Sequence, residues 1–343
     1  HGITAGLIAA GLIAPTWQVR MHTTGQYAEF DLSVLKDDTA HPYRLQCEQW
    51  RLSELLLAHI QTHLPHVQVH WGCPLIGFSL TDHSVKVQYQ SKDVQLNPLE
   101  ASFLVGADGG HSTVRKQLNL AFDGLTFPET TILATTRFAF HAHFPELSYI
   151  NYCWSESGTF SLLRLRDLWR VSLYQDEGES IEEATSHNAV QQKMQRIWPR
   201  QEAYEVLEIR PYRIHQRVVK QYVSGRVVLV GDAAHLNSPS GGMGMNGGIH
   251  DAFNLSEKLE SILHGTCGLE ALALYERQRR PIAISHVLEQ SGRNRARMQE
   301  RDMSKRQAAM EELQRKAHDP VLHKAHLLNT SMITGLRESA ALT

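Results

Sequence analysis

A chain of 343 residues, 42% of them hydrophobic and 20% charged, is long enough to bury a sizeable core in two domains or one large one. Its formal net charge of −2 gives no electrostatic reason to bind nucleic acid or an anionic membrane, and no apolar run approaches bilayer length. Four cysteines, Cys47, Cys73, Cys153 and Cys267, are scattered without a CxxC pair, a usage that fits reduced thiols in a cytoplasmic protein and argues against a disulfide frame or a zinc site.

The opening stretch, "HGITAGLIAAGLIAPTW", is apolar but has no basic flank and no initiator Met, so it does not read as a signal peptide. "WQVRMHTT" and "AEFDLSV" alternate like strands. "CEQWRLSELLLAHIQTHL" carries Leu52, Leu55, Leu56 and Ile60 at helical spacing. Short strands are expected at "VQVHW", "LIGFSLT" and "SVKVQYQ", and "EASFLVGADGGHSTVRKQL" reads as strand, glycine turn and helix. From about residue 130 to 214, β-branched and aromatic strands dominate, interrupted by one helix near residues 180–197. After residue 244 the chain reads as helical to its end. This order predicts an α/β fold with an inserted, mainly antiparallel sheet. The expected domains are 1–128 with 215–295, then 129–214, then a helical segment over 296–343.

One stretch stands apart: "GRVVLVGDAAHLNSPSGGMGMNGGIHDAFNL". A buried strand ending in Gly231-Asp232 places a carboxylate at the carboxyl edge of a sheet, where open α/β folds bind ligands. Such a carboxylate accepts hydrogen bonds from sugar or ribityl hydroxyls. The loop Pro239-Ser240-Gly241-Gly242 then offers bare backbone N–H groups at a helix start, which stabilise negative charge. Together they suit a polyol joined to a delocalised anion, as in a flavin. A bare "GD" alone reads more often as a glycine-rich connection with a capping Asp. A second motif, "LVGADGGHSTVRKQL", repeats the strand, turn and helix. In it, Asp108 either binds a polar ligand group or ties the turn, and Arg115 is able to reach phosphate.

With both motifs in view, the chain resembles the single-component flavoprotein monooxygenases of the para-hydroxybenzoate hydroxylase type. "VGADGGHSTVR" is similar to their second fingerprint and "GRVVLVGDAAHLNSPSGGMGMNGGIHDAFNL" to their third; "YERQRRP" and "RLQCEQWRLSELLLAHI" also fit. The resemblance implies a Rossmann-like FAD domain with an inserted substrate sheet. It implies FAD as cofactor, NADH or NADPH as transient co-substrate, and O2 added as a peroxide at the flavin C4a before transfer to an electron-rich aromatic ring. It places Gln49 near the flavin chain, Asp232 on the ribityl hydroxyls with Gly231 beside it, and Asp108 with Arg115 near the pyrophosphate or the approach of the nicotinamide. His111 matches a position that handles NAD(P)H. Pro239, Gly241, Gly242, Met245 and Asn246 would face the flavin's pyrimidine edge. The family also opens on a GxGxxG strand–helix unit; "GITAGLIAAG" has no preceding strand and the wrong spacing, so the given sequence is expected to be a fragment.

Ile150, Tyr152 and Trp154, with Phe160, read as core; the resemblance implies instead that the aromatics among them line the substrate cavity, that Arg164 or Arg166 would meet a carboxylate or phenolate, and that Pro239 would border the substrate. His59 and His63 lack a carboxylate or thiol partner and do not read as a metal site. "RNRARMQERDMSKRQAAMEELQRK" reads as a solvent-facing helix or one packed on a partner subunit, so a homodimer stays open. The expected partner is a small aromatic substrate, with no nucleic acid and no integral membrane. An epoxidase, halogenase or reductase of the same fold, or a non-catalytic flavoprotein-like module, are the alternatives.

Overall fold

The structure, a computed structural model, describes residues 2–90, 99–239 and 241–343. It divides into two compact units: His1–Gln68, Pro128–Arg213 and Ala296–Leu328 form the first, and Val69–Phe127, Ile214–Arg295 and Asn329–Thr343 the second.

The first unit is built on a sheet. Six of the sheet's eight strands run in the order Phe122–Thr136, Trp169–Tyr174, Gly158–Arg164, Ile150–Ser155, Thr16–Met21 and Tyr27–Asp31. Neighbours are antiparallel except Ile150–Ser155 with Thr16–Met21, which are parallel. Directly opposed residues share a face, and Tyr152 opposes Ser161, which opposes Ser172, which opposes Leu133. The two faces differ sharply. One carries Ile132, Ala134, Cys153, Phe160, Leu162, Trp169, Val171 and Leu173, all buried against Val190, Met194 and Ile197. The other carries Tyr152, Leu163, Arg170, Ser172 and Tyr174, all half-buried.

Those three apolar residues come from helix His187–Ile197. The single helix expected over 180–197 is two. Ser180 and Glu183 form a capping box for Ile181–Ala184, and Ser186, in an extended conformation, then caps the next helix through Ala189 N–H. The charged segment near the end also differs from expectation. Helix Met303–His318 buries Arg306, Met310 and Leu313 and packs on the strands Thr16–Met21 and Tyr27–Asp31 of its own unit. Gln314 Nε2 donates to Tyr27 O at 3.0 Å.

In the second unit, strand Leu104–Gly106 runs parallel to Val227–Leu229, which pairs antiparallel with Val223–Ser224. A second sheet joins Leu75–Leu80, Val85–Tyr89 and Leu99–Ala101. Residues 67–71 carry the alternation of "VQVHW" but belong to no described ladder; alternation makes a strand only where an edge is available to pair. Helix Glu270–Ile282 holds Pro281 and passes into a π-helical turn at Ala283–Leu288.

Two tests follow from the first unit. Arg306 is 1% exposed and donates to the carbonyls of Glu300 (2.7 Å), Ser155 (2.7 Å) and Gly158 (3.3 Å). Arg306→Met leaves those carbonyls unmatched and should lower unfolding stability by about 2–4 kcal/mol in a denaturant titration. His326 packs on Phe30, ring centroids 4.6 Å apart, and burial, then the charges of Arg297 and Lys316, hold its pKa down at about 4. An unfolded histidine titrates near 6.5, so between those values the unfolded chain binds more protons and stability falls as pH falls. Thermal midpoints measured from pH 7 to 4.5 should decline, and His326→Gln should flatten part of that decline.

Candidate functional site

The two glycine–aspartate motifs lie more than a hundred residues apart in sequence, and the fold makes them neighbours. Leu104, Val105 and Gly106 pair in parallel with Val227, Val228 and Leu229, and Val230 N–H donates to Gly106 O at 3.1 Å. Both strands therefore end on the same carboxyl edge. Gly106 is required there: a methyl group would stand 2.8 Å from Leu229 and 2.9 Å from Val114.

The two carboxylates then take different parts. Asp108 is fully engaged by its own turn, accepting from Ser112 Oγ (2.5 Å), Thr113 N–H (2.6 Å) and Val114 N–H (3.1 Å). Arg115 is 5% exposed and donates to Ala233 O (2.9 Å) and Gly110 O (2.7 Å), with its guanidinium 3.9 Å from the centre of the Phe122 ring. As placed, Arg115 clamps the second motif to the third. His111 stands exposed in the turn between them.

Asp232 is the opposite case. Its side chain is exposed, and no described residue donates a hydrogen bond to its carboxylate. The surrounding protein still desolvates it enough to raise its pKa, against the attraction of His235; the exposure decides its role, because it leaves the oxygens reachable. Gly231 holds φ +56°, and Gly248 of helix Gly244–Leu263 packs on it so closely that a methyl on Gly248 would lie 3.1 Å from the Gly231 Cα. That helix begins with no side-chain cap. Gly241 (φ +103°) and Gly242 (φ +70°) lead into it in the left-handed region that favours glycine. Pro239 O accepts from Gly242 N–H at 2.9 Å, and Asn246 Nδ2 donates to Gly242 O at 2.8 Å. Pro239 and Met245 are exposed; Ser240 lies outside the described residues.

Beneath this edge is a buried cluster that sequence reasoning missed. Asp251, with no exposure, accepts from His235 Nε2 (2.7 Å), Arg279 Nε (2.8 Å) and Gly231 N–H (3.1 Å). Burial pushes its carboxyl up, and the His235 and Arg279 contacts more than offset this, holding it below the usual range. The signal was present: Gly247, Asp251 and Leu255 are the buried residues of their helix, at spacings of four, so the Asp sits in an apolar stripe. The motif "YERQRR" has the same bracing character. Tyr275 O–H donates to Leu229 O (2.8 Å), Glu276 accepts from Tyr222 and Val223 N–H (2.9 and 3.0 Å), and Arg280 donates to Val219 O (2.9 Å).

In the first unit, Gln49 opens helix Gln49–His63 and is exposed. Tyr152 lies on the half-open face of the sheet. Trp154 shares that face but is 1% exposed, its indole N–H bonded to Arg297 O at 3.1 Å. Arg164 opposes Trp169, which puts it on the other face from Tyr152, and its guanidinium lies 4.7 Å from the centre of the Tyr149 ring. Arg166 donates to Ala9 O at 2.8 Å. Phe160 belongs to the apolar core.

Residues 1–290 match the family model described as an FAD binding domain. The chain is 32% identical over 284 residues to 6-hydroxy-3-succinoylpyridine 3-monooxygenase HspB of Pseudomonas putida, covering 81% of this chain and 70% of that one. It is 28% identical over 342 residues to para-nitrophenol 4-monooxygenase of a Pseudomonas species, covering 98% and 83%. The crystal structure of p-nitrophenol 4-monooxygenase PnpA from Pseudomonas putida superposes with a TM-score of 0.89 at 26% identity, covering 98% of this chain and 84% of that one. No described helix is long and apolar enough to cross a membrane.

The buried cluster yields a direct test. Asp251→Asn removes the charge opposite Arg279 and leaves a buried cation, a change expected to lower stability by about 3–5 kcal/mol. Because the Asp251 pKa is depressed in the fold, its contribution is complete above the unfolded value of about 3.9 and disappears only in acid below it. Chemical unfolding at pH 7 should show the full loss, and the loss should shrink toward pH 3.

Proposed function

The chain belongs to the FAD-binding-domain family of aromatic monooxygenases, and from that membership we propose that it hydroxylates a single-ring, hydroxy-substituted aromatic or heteroaromatic compound. It is an FAD-dependent enzyme using NAD(P)H and O2. In the overall reaction one oxygen atom enters the ring and the other leaves as water, while NAD(P)H and a proton supply two electrons and two protons. FAD supplies the redox chemistry when bound. The single-ring assignment rests on the two Pseudomonas relatives, whose names specify a hydroxypyridine and a nitrophenol.

The observation that carries the site assignment is the exposed Asp232 carboxylate, free of described hydrogen-bond donors, beside an uncapped helix start. We assign Asp232 to the ribityl hydroxyls, which would supply the donors its oxygens lack. The N–H groups of Gly244, Met245 and Asn246 point along the helix axis toward its start, where the dipole stabilises the negative N1–C2=O edge of a reduced flavin. Gly241 and Gly242 leave that approach without side chains, and Pro239 borders it. Asp108 and Arg115 are assigned to holding this edge in shape, since their polar atoms are engaged within the protein. Gln49 and His111, both exposed, remain assigned to the cofactor's chain and to NAD(P)H. A cytoplasmic location is inferred from the free thiols of Cys47, Cys73, Cys153 and Cys267; the homodimer is kept as an expectation that light scattering decides.

Two measurements test this reading. Asp232→Ala should weaken FAD binding by about 1.5–3 kcal/mol, or roughly tenfold to a hundredfold, with little change in the thermal midpoint. Wild-type affinity in that variant would remove Asp232 from the site. Oxygen uptake with NAD(P)H across phenols, hydroxybenzoates and hydroxypyridines should rise with a ring that gains one oxygen by mass. Flavin turnover without any oxygenated ring would contradict the hydroxylase.

A further inference from the structure

We propose that Met332, in the C-terminal segment, positions the helix start that receives the flavin by completing the apolar seat of Met243. This role deepens the flavin assignment made above and rests on it.

Helix Gly244–Leu263 begins with no side-chain cap, and two glycines in the left-handed region lead into it. Met243, the residue before its first turn, is 2% exposed. The Met243 carbonyl accepts from Gly247 N–H at 2.8 Å, the first hydrogen bond of the helix. Where Met243 sits therefore sets where the N–H groups of Gly244, Met245 and Asn246 point. Its seat is a small buried cluster of Ala283, Val287, Leu288 and Met332. The first three belong to the π-helical turn Ala283–Leu288. The Met332 methyl carbon also lies 3.8 Å from the point where a Cβ on Gly247 would stand, so it reaches the first turn itself.

The backbone of Met332 shows that this placement is imposed. Its φ is +64°, in the left-handed region, at the residue that precedes helix Ile333–Ala341. Among the described residues, Asn119 and Glu146 are the other non-glycine residues at positive φ, and both are exposed. A buried methionine in this conformation carries a cost that glycine would avoid. Such strain persists where the surroundings over-determine it. Here the C-terminal helix does so. Ser339 Oγ donates to Gln278 O at 2.9 Å, Gln278 Nε2 donates to Leu342 O at 2.7 Å, and His286 Nε2 lies 2.6 Å from Glu338 Oε2. Gly335 permits the close approach: a methyl there would stand 3.0 Å from His286 and 3.1 Å from Ile282. One helical run, Glu270 to Leu288, thus carries the anchors of the C-terminal helix, most of the Met243 seat and the Arg279 that pairs with Asp251. Met332 closes that seat from the other side of the chain, and an unbranched thioether suits so irregular a gap.

The test compares Met332→Ala, Met332→Gly and Met332→Leu with wild type and with Asp232→Ala, all in the full chain. FAD dissociation constants are read from flavin fluorescence; thermal midpoints and amide exchange are read from the FAD-free protein. Met332→Ala and Met332→Gly should each weaken FAD roughly tenfold. Met332→Leu refills the seat and should stay within about threefold of wild type. In FAD-free protein the Gly247 amide should exchange roughly tenfold faster in both truncated variants. The Leu229 amide, bonded to Tyr222 O at 2.8 Å, should keep its wild-type rate. Met332→Gly should melt above Met332→Ala, because glycine takes the left-handed conformation without cost, yet bind FAD no better. A residue that only stabilises the fold would make FAD affinity follow the midpoint, and that result overturns the proposal. So does wild-type exchange at Gly247, or unchanged FAD affinity, in the truncated variants. If only Asp232→Ala weakens FAD, the flavin site stands without Met332; if neither substitution does, the site assignment itself falls. Gly335→Ala, which displaces the C-terminal helix without touching Met332, should also weaken FAD and carries the test if the truncated variants do not fold. Unchanged affinity there overturns the proposal.

Discussion

A single buried carboxylate, Asp251, organises the sheet edge at which the two glycine–aspartate motifs meet. Asp251 accepts from a backbone N–H on the strand end, a histidine one turn further and an arginine from the following helix. Two partners come from the strand end and the turn after it and the third from a later helix, so the acid fixes how strand, loop and helix meet. Its charge is affordable inside the protein only because Arg279 and His235 surround it; alone it would take a proton or unfold the site. With Asp251 in place, Gly231 and Gly248 pack backbone to backbone, and the start of the long helix is aimed over the sheet edge.

The same edge shows how identical motif residues acquire different work. Asp108 and Asp232 both end parallel strands, yet Asp108 satisfies three donors of its own turn and Asp232 satisfies none among the described residues. A carboxylate saturated by short hydrogen bonds has no capacity left for a ligand. One that is exposed, slightly desolvated and unpartnered gains from any hydroxyl brought to it. The glycines follow the same logic: Gly106 and Gly248 are excluded from having side chains by neighbours, whereas Gly241 and Gly242 supply backbone conformations that other residues resist.

Much of this was legible in the sequence, for identifiable reasons. The strand–turn–helix motifs and the inserted sheet follow from local signals, namely periodicity, glycine spacing and a carboxylate at a strand end, and the flavin chemistry follows from the family resemblance those motifs carry. The structure also describes a mixed α/β fold with that sheet. What escaped depended on pairing between distant segments. Arg115 looked able to reach a phosphate, but register places it against Ala233 O and the Phe122 ring. Arg164 was expected to meet a carboxylate or phenolate, but the strand register puts it on the face opposite Tyr152. Asp251 was hidden because a charged residue reads as surface unless its helical stripe is counted.

The central claim is that the bare helix start beside Asp232 meets the flavin, while Asp251 holds that edge whether or not the flavin is present. Backbone hydrogen exchange with and without FAD tests it residue by residue. The Gly231 amide, bonded to Asp251, should be protected in both states. The amides of Gly244, Met245 and Asn246 should exchange rapidly without FAD and become protected with it. If FAD binds and those three amides exchange unchanged, the flavin lies elsewhere and the account of this site is wrong.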